Sequence, residues 1–183
     1  MQRRTAIKSL AAAAAMAWML PSCISDPRKV AIALNHLKVT ADEEDLLGLV
    51  ADTIIPETDT PGARSVAAHH FTLVMVDDCL PEGQQQQYLS GMRDFESALK
   101  KITGDDFRSA SPERREEMLS ALIDQRESLP ADVRFFWERS RSYILQGYTS
   151  SQYFLTEVKP YQLIPGPEYK GCVPVSNSTS PLS

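Results

Sequence analysis

Between Tyr88 and Ile102 the large apolar residues fall at Tyr88, Met92, Phe95, Leu99 and Ile102, every three or four positions. On an α-helix these side chains form a stripe about 80° wide, the pattern of a helix that buries one face. Gly104 follows as a natural stop. No stretch of the chain shows strong alternation with the period of two that a half-buried strand requires, and no segment repeats. The expected fold class is therefore all-α: a compact bundle of about five to six helices, followed by an irregular C-terminal segment rich in Pro and Gly.

Other helix boundaries are written in capping chemistry. Thr40-Ala41-Asp42-Glu43 reads as a capping box, in which the Thr40 hydroxyl and the Glu43 carboxylate each satisfy a free backbone N–H. Leu46, Leu47, Val50 and Ile54 share one side of the helix that follows, and Pro56 ends it near Ile55. The stretch Pro56 to Ala63 holds too many Pro, Gly and hydroxyl residues for a helix and reads as an ordered turn. A second helix is expected from Ser65 to about Cys79. Ser111-Pro112-Glu113 starts another, with Ser as cap, Pro in the first turn and Met118, Leu119, Leu122 and Ile123 as the buried side. A further helix spans roughly Asp132 to Gln146, and a short one could run on to Val158. In the Asp132 helix, Val133, Phe136, Trp137, Ser140 and Ile144 share the core side, which turns Phe135 outward. An aromatic there implies cover from the C-terminal segment or from a protein partner.

The N-terminus reads as an export signal. Arg3, Arg4 and Lys8 precede an almost uncharged stretch that ends at Cys23. Residues 9–22 fall short of the roughly 20 apolar residues of a permanent membrane span. Arg3 and Arg4 resemble a twin-arginine signal, which exports folded proteins. Leu20-Pro21-Ser22-Cys23 resembles a lipobox, with Cys23 acylated, and an ordinary cleaved signal is the other reading. The expected organisation is a signal over 1–22, a tether over 23–39, a helical domain over 40–175 and a disordered tail over 176–183. The expected location is periplasmic, on the membrane through a lipid anchor.

Removal of residues 1–22 takes three basic residues and no acidic one. It leaves 16 basic against 24 acidic side chains, a net charge of −8. An acidic body without a basic cluster argues against nucleic acid as a partner. With Cys23 lipidated, Cys79 and Cys172 remain. An even pair in an oxidising compartment reads as a disulfide, worth about 4 to 5 kcal/mol on the chain-entropy model, and two unrelated buried thiols are the alternative.

Catalytic constellations are hard to build from these residues. The eight glycines include no dinucleotide-binding fingerprint, and no C-x-x-C-H is present. No cofactor, metal or catalytic residue is therefore assigned to this chain. His69 and His70 stand near Asp77 and Asp78 in sequence. Adjacent histidines point about 100° apart on a helix, and His70 to Asp77 spans roughly 10 Å, so a surface or cap role is the expectation for both histidines. His36 falls in the tether without a visible partner.

The run Ala51-Asp52-Thr53-Ile54-Ile55-Pro56-Glu57-Thr58-Asp59-Thr60-Pro61-Gly62-Ala63 resembles the signature of the gluconate 2-dehydrogenase subunit 3 family. Supporting pieces are the Met75 to Cys79 helix end, Gly147-Tyr148-Thr149-Ser150, and Ile164 to Pro174. The resemblance implies a non-catalytic small subunit that binds, stabilises and helps export a large FAD-dependent dehydrogenase of the glucose-methanol-choline type, sometimes beside a cytochrome c. The large subunit oxidises a sugar, sugar acid or glycoside and carries the FAD. A freestanding periplasmic lipoprotein with a scaffold role is the alternative. A Pro-fixed loop is preorganised for docking, so Asp52, Pro56, Asp59, Thr60, Pro61, Gly62 and Phe135 are the expected partner interface.

Overall fold

Thr40 and Glu43 cap the first helix reciprocally: the Thr40 hydroxyl accepts from the Glu43 N–H, and the Glu43 carboxylate accepts from the Thr40 N–H at 2.8 Å. The computed structural model describes residues 32–159. Helix α1 runs Ala41–Ile54, α2 Ala68–Cys79, α3 Glu82–Thr103, α4 Pro112–Asp124 and α5 Ala131–Thr149. A 3₁₀ turn, Arg126–Ser128, joins α4 to α5, and a π-helical turn, Phe154–Val158, follows α5. No strand occurs among the described residues, so the all-α expectation holds. Arg3, Arg4, Cys23, Cys172, the C-terminal segment and the tail lie outside the described residues.

Helix α3 presents the expected stripe. Tyr88, Met92, Phe95 and Leu99 are fully buried, and Gly104 closes the helix in the left-handed conformation. The stripe packs mainly on α5, whose Val133, Phe136, Trp137, Ser140 and Ile144 are all buried, as their spacing implied. The backbones come close where Gly91 faces the start of α5: a Cβ there would stand 2.0 Å from the Asp132 carbonyl oxygen. The rings of Tyr88 and Phe136 lie 5.0 Å apart, and those of Phe95 and Phe136 5.1 Å. The buried Tyr88 hydroxyl is satisfied by the Ser140 hydroxyl at 2.8 Å. Phe107, in the loop between α3 and α4, is 1% exposed and meets Phe95 edge-on at 5.8 Å. Its neighbour Arg108 ties this loop to Glu96 of α3 and to the Asp42 carbonyl of α1.

Three expectations need correction. Helix α2 starts at Ala68 rather than Ser65, because the preceding turn continues through Val66 N–H to Gly62 O and Ala67 N–H to Arg64 O. Ile123 is 48% exposed rather than buried. Met118, Leu119 and Leu122 already fill the inward face of α4, and Ile123 falls one step further round the helix. The residues read as a tether pack on the domain from Ile32 onward: Leu37 is in the core, with Ile32, Leu34 and Val39 against its edge. No helix among the described residues is long and apolar enough to cross a membrane.

Candidate partner-binding surface

The turn between α1 and α2 is built from backbone hydrogen bonds. Ala63 N–H donates to Ile55 O at 2.9 Å, Thr58 N–H to Thr60 O at 3.0 Å, and Ala68 N–H to Ala63 O at 2.9 Å. The Ser65 hydroxyl donates to the Glu57 carboxylate across its mouth. Gly62 is required by close approach: a Cβ there would lie 2.6 Å from the Glu57 nitrogen and 2.9 Å from the Ile55 oxygen. Ala67, the last residue before α2, holds φ 58° and ψ 31°. That left-handed conformation costs a residue with a Cβ about 1 to 2 kcal/mol. The turn also touches the end of α5, where the Tyr148 hydroxyl donates to Pro61 O at 3.1 Å. Two motifs far apart in sequence, the Pro-rich run and Gly147-Tyr148, thus meet in space.

Most of the expected interface residues on this turn reach its surface. Pro56, Asp59 and Thr60 are exposed, Asp52 and Pro61 are half-buried, and Gly62 is buried beneath them. Asp52, Thr53, Pro56 and Glu57 form one wall of a cleft whose other wall is the first turn of α4, with Pro112, Glu113, Arg115 and Glu116. Arg115 is the unexpected member, since its Nε and Nη1 are buried without a hydrogen-bond partner among the described residues. Nothing in the spacing of α4 marks it, because the cleft exists only once α1 and α4 are side by side. Phe135 lies apart from this cleft. It is half-buried rather than turned fully outward, leaning on the core edge with the Arg139 guanidinium 5.4 Å from its ring centre. Cys79, at the exposed end of α2, has no disulfide partner among the described residues, and its expected partner Cys172 lies outside them.

The acidic residues near the histidines have other uses. Asp77 accepts three backbone N–H bonds, from Asn35 at 2.6 Å, His36 at 2.8 Å and Leu37 at 2.6 Å. Burial alone would raise its pKa, but these donors hold the carboxyl below its ordinary range. His70 instead meets Glu44 of α1, with Nε2 to Oε1 at 2.7 Å. His69 is buried beside it, the two rings 4.0 Å apart. The surface or cap role expected of both histidines is thus wrong for His69. Burial, with His70 and the Arg64 charge, pushes the His69 pKa down to about 4 and keeps the ring neutral. Helix α2 itself carries only the carboxylates Asp77 and Asp78; Glu44 sits 26 residues before His70 and arrives by α1–α2 packing.

The sequence profile of a family described as gluconate 2-dehydrogenase subunit 3 matches residues 41–166. No curated protein and no solved structure matches the chain. The matched span runs from the first residue of α1 through α5 and takes in the turn, its cleft and Tyr148.

Proposed function

The chain belongs to the gluconate 2-dehydrogenase subunit 3 family, and from that premise we propose that it is the non-catalytic small subunit of a periplasmic dehydrogenase complex. It binds, stabilises and helps export a large FAD-dependent subunit of the glucose-methanol-choline type, which oxidises a sugar, sugar acid or glycoside. A cytochrome c completes the electron path, and the acylated Cys23 holds the assembly at the membrane.

The family match carries this reading. The turn at residues 55–67 supports it physically, since a loop already fixed by its own backbone bonds loses little conformational freedom on docking. The cleft beside it offers a charged anchor. Arg115 lines it, and its guanidinium can pair with a carboxylate or a carbonyl oxygen of the large subunit.

The escort role follows from where a flavoprotein acquires its cofactor. FAD is made in the cytoplasm and is held securely only by a closed fold, so the signal with Arg3 and Arg4 serves the loaded partner as well as this chain. Replacing Arg3 and Arg4 together by Lys is expected to strand both subunits in the cytoplasmic fraction, with dehydrogenase activity lost from the periplasm. Flavin-loaded large subunit still found outside would reduce the role to stabilisation or anchoring. Isolation of this chain alone from native membranes, with the dehydrogenase activity in a separate fraction, would overturn the subunit reading itself.

A further inference from the structure

We propose that Glu44, His69 and His70 form a binding site for one divalent transition-metal ion of the zinc class. Each residue offers one ligand atom, and the three atoms lie within 4.8 Å of one another. They come from two helices: Glu44 from the first turn of α1, the histidines from the first turn of α2. Glu44 and His69 are each only 8% exposed, so the site is walled by protein, while the His70 side chain keeps 26% of its surface open.

His69 gives the independent sign of a missing ligand. Its Nδ1 is buried without a hydrogen-bond partner among the described residues. A buried polar nitrogen left unpaired is costly, and native proteins rarely retain one without a use. A neutral imidazole can coordinate an ion through the lone pair of one ring nitrogen. Beside it, His70 Nε2 and Glu44 Oε1 share a proton at 2.7 Å. A metal ion can take the place of that proton and bind both groups.

The donor set selects the ion. Two imidazoles and one carboxylate suit zinc, cobalt, nickel or copper, whereas magnesium and calcium prefer oxygen throughout. At metal–ligand distances of about 2.0 to 2.1 Å the donors must draw in to roughly 3.4 Å from one another. His70, the most exposed of the three, has room to turn. The Arg64 cation near His69 is offset by Asp45 at 2.6 Å. The positive end of α2 opposes a cation, and Glu44 favours it. Three protein ligands leave a coordination position for water or a partner's side chain. The bound ion would lock α1 to α2 just beyond the docking turn. The proposal does not depend on the subunit reading, and either can fail alone.

The test is titration of the full chain, purified through a tag without histidine and stripped of metal, with Co²⁺ and Zn²⁺. One equivalent of Co²⁺ should bind with the visible absorption of a low-coordinate site, and Zn²⁺ should displace it and raise the Tm. His70→Gln and Glu44→Gln should each weaken binding at least tenfold with the helical circular dichroism retained. His36→Gln and Cys79→Ser should leave binding unchanged. If His69→Gln does not fold, His70→Gln still decides the matter, because its side chain is partly open to solvent. Absence of saturable binding at millimolar Co²⁺, or equal binding by the His70 and Glu44 variants, would overturn the proposal.

Discussion

Between α3 and α5 the packing is aromatic, with Phe95 edge-on to Phe136 and stacked on Trp137, and with the buried polar pair Tyr88 and Ser140 within it. Besides their share of the apolar core, α1, the turn and α2 are joined by directional polar contacts: three N–H groups on Asp77, backbone bonds through the turn, and Glu44 on His70. The seam supplies stability in proportion to the apolar area removed from water. The polar side supplies little net energy per bond but fixes one shape, because any donor left unpaired is costly. A scaffold and a preformed surface are thus carried by different parts of one small bundle. The exposed ion pairs, such as Arg114 with Glu117 and Asp105, add little to either.

The largest effect should come from the seam. Phe95 is fully buried against Phe107, Phe136 and Trp137, so Phe95→Ala is expected to cost about 3 to 5 kcal/mol in denaturant unfolding. A loss near 1 kcal/mol would mean that the seam is not the main store of stability.

Next comes the carboxylate that pins the segment before α1. Asp77→Ala leaves three N–H donors without a partner and should cost about 2 to 3 kcal/mol, with hydrogen exchange quickened at Asn35, His36 and Leu37 but not along α3. Because the folded state lowers the Asp77 pKa, its contribution is present at neutral pH. It should fade as acid protonates the carboxylate, at and below the ordinary aspartate range. The acid limb of the Tm-against-pH curve should therefore flatten in Asp77→Asn. An unchanged limb would show that the cradle is not formed in solution.

The smallest effect belongs to the turn. Ala67→Gly relieves the left-handed strain and should raise stability by about 0.5 to 1 kcal/mol. Destabilisation instead would show that the turn adopts another conformation.

This division also explains what could be read in the sequence. The seam was legible because apolar residues on a helix repeat with its period, and the start of α1 because Thr40 and Glu43 carry a local motif. Phe107 and Ile123 were not, since loop burial and the last position on a helix face depend on neighbours distant in sequence. Of the candidate surface, the Pro- and Gly-rich turn announced itself by composition. Its second wall at Arg115, the Asp77 cradle and the Glu44–His69–His70 group did not. Each joins elements across tertiary contacts that no spacing within one element encodes. Phe135 was half legible: helical phase put it away from the core face, and the core edge covers part of it.

The claim that the fixed turn and its cleft form the docking surface is tested most directly by measuring affinity for the large dehydrogenase subunit. The variant is Asp59→Lys with Arg115→Gln, two changes on the face that leave the seam untouched. The account predicts at least a tenfold weaker Kd, about 1.4 kcal/mol, with the wild-type circular dichroism and nearly the same unfolding midpoint. Undiminished affinity in a folded double variant would contradict it and move the interface elsewhere on the bundle.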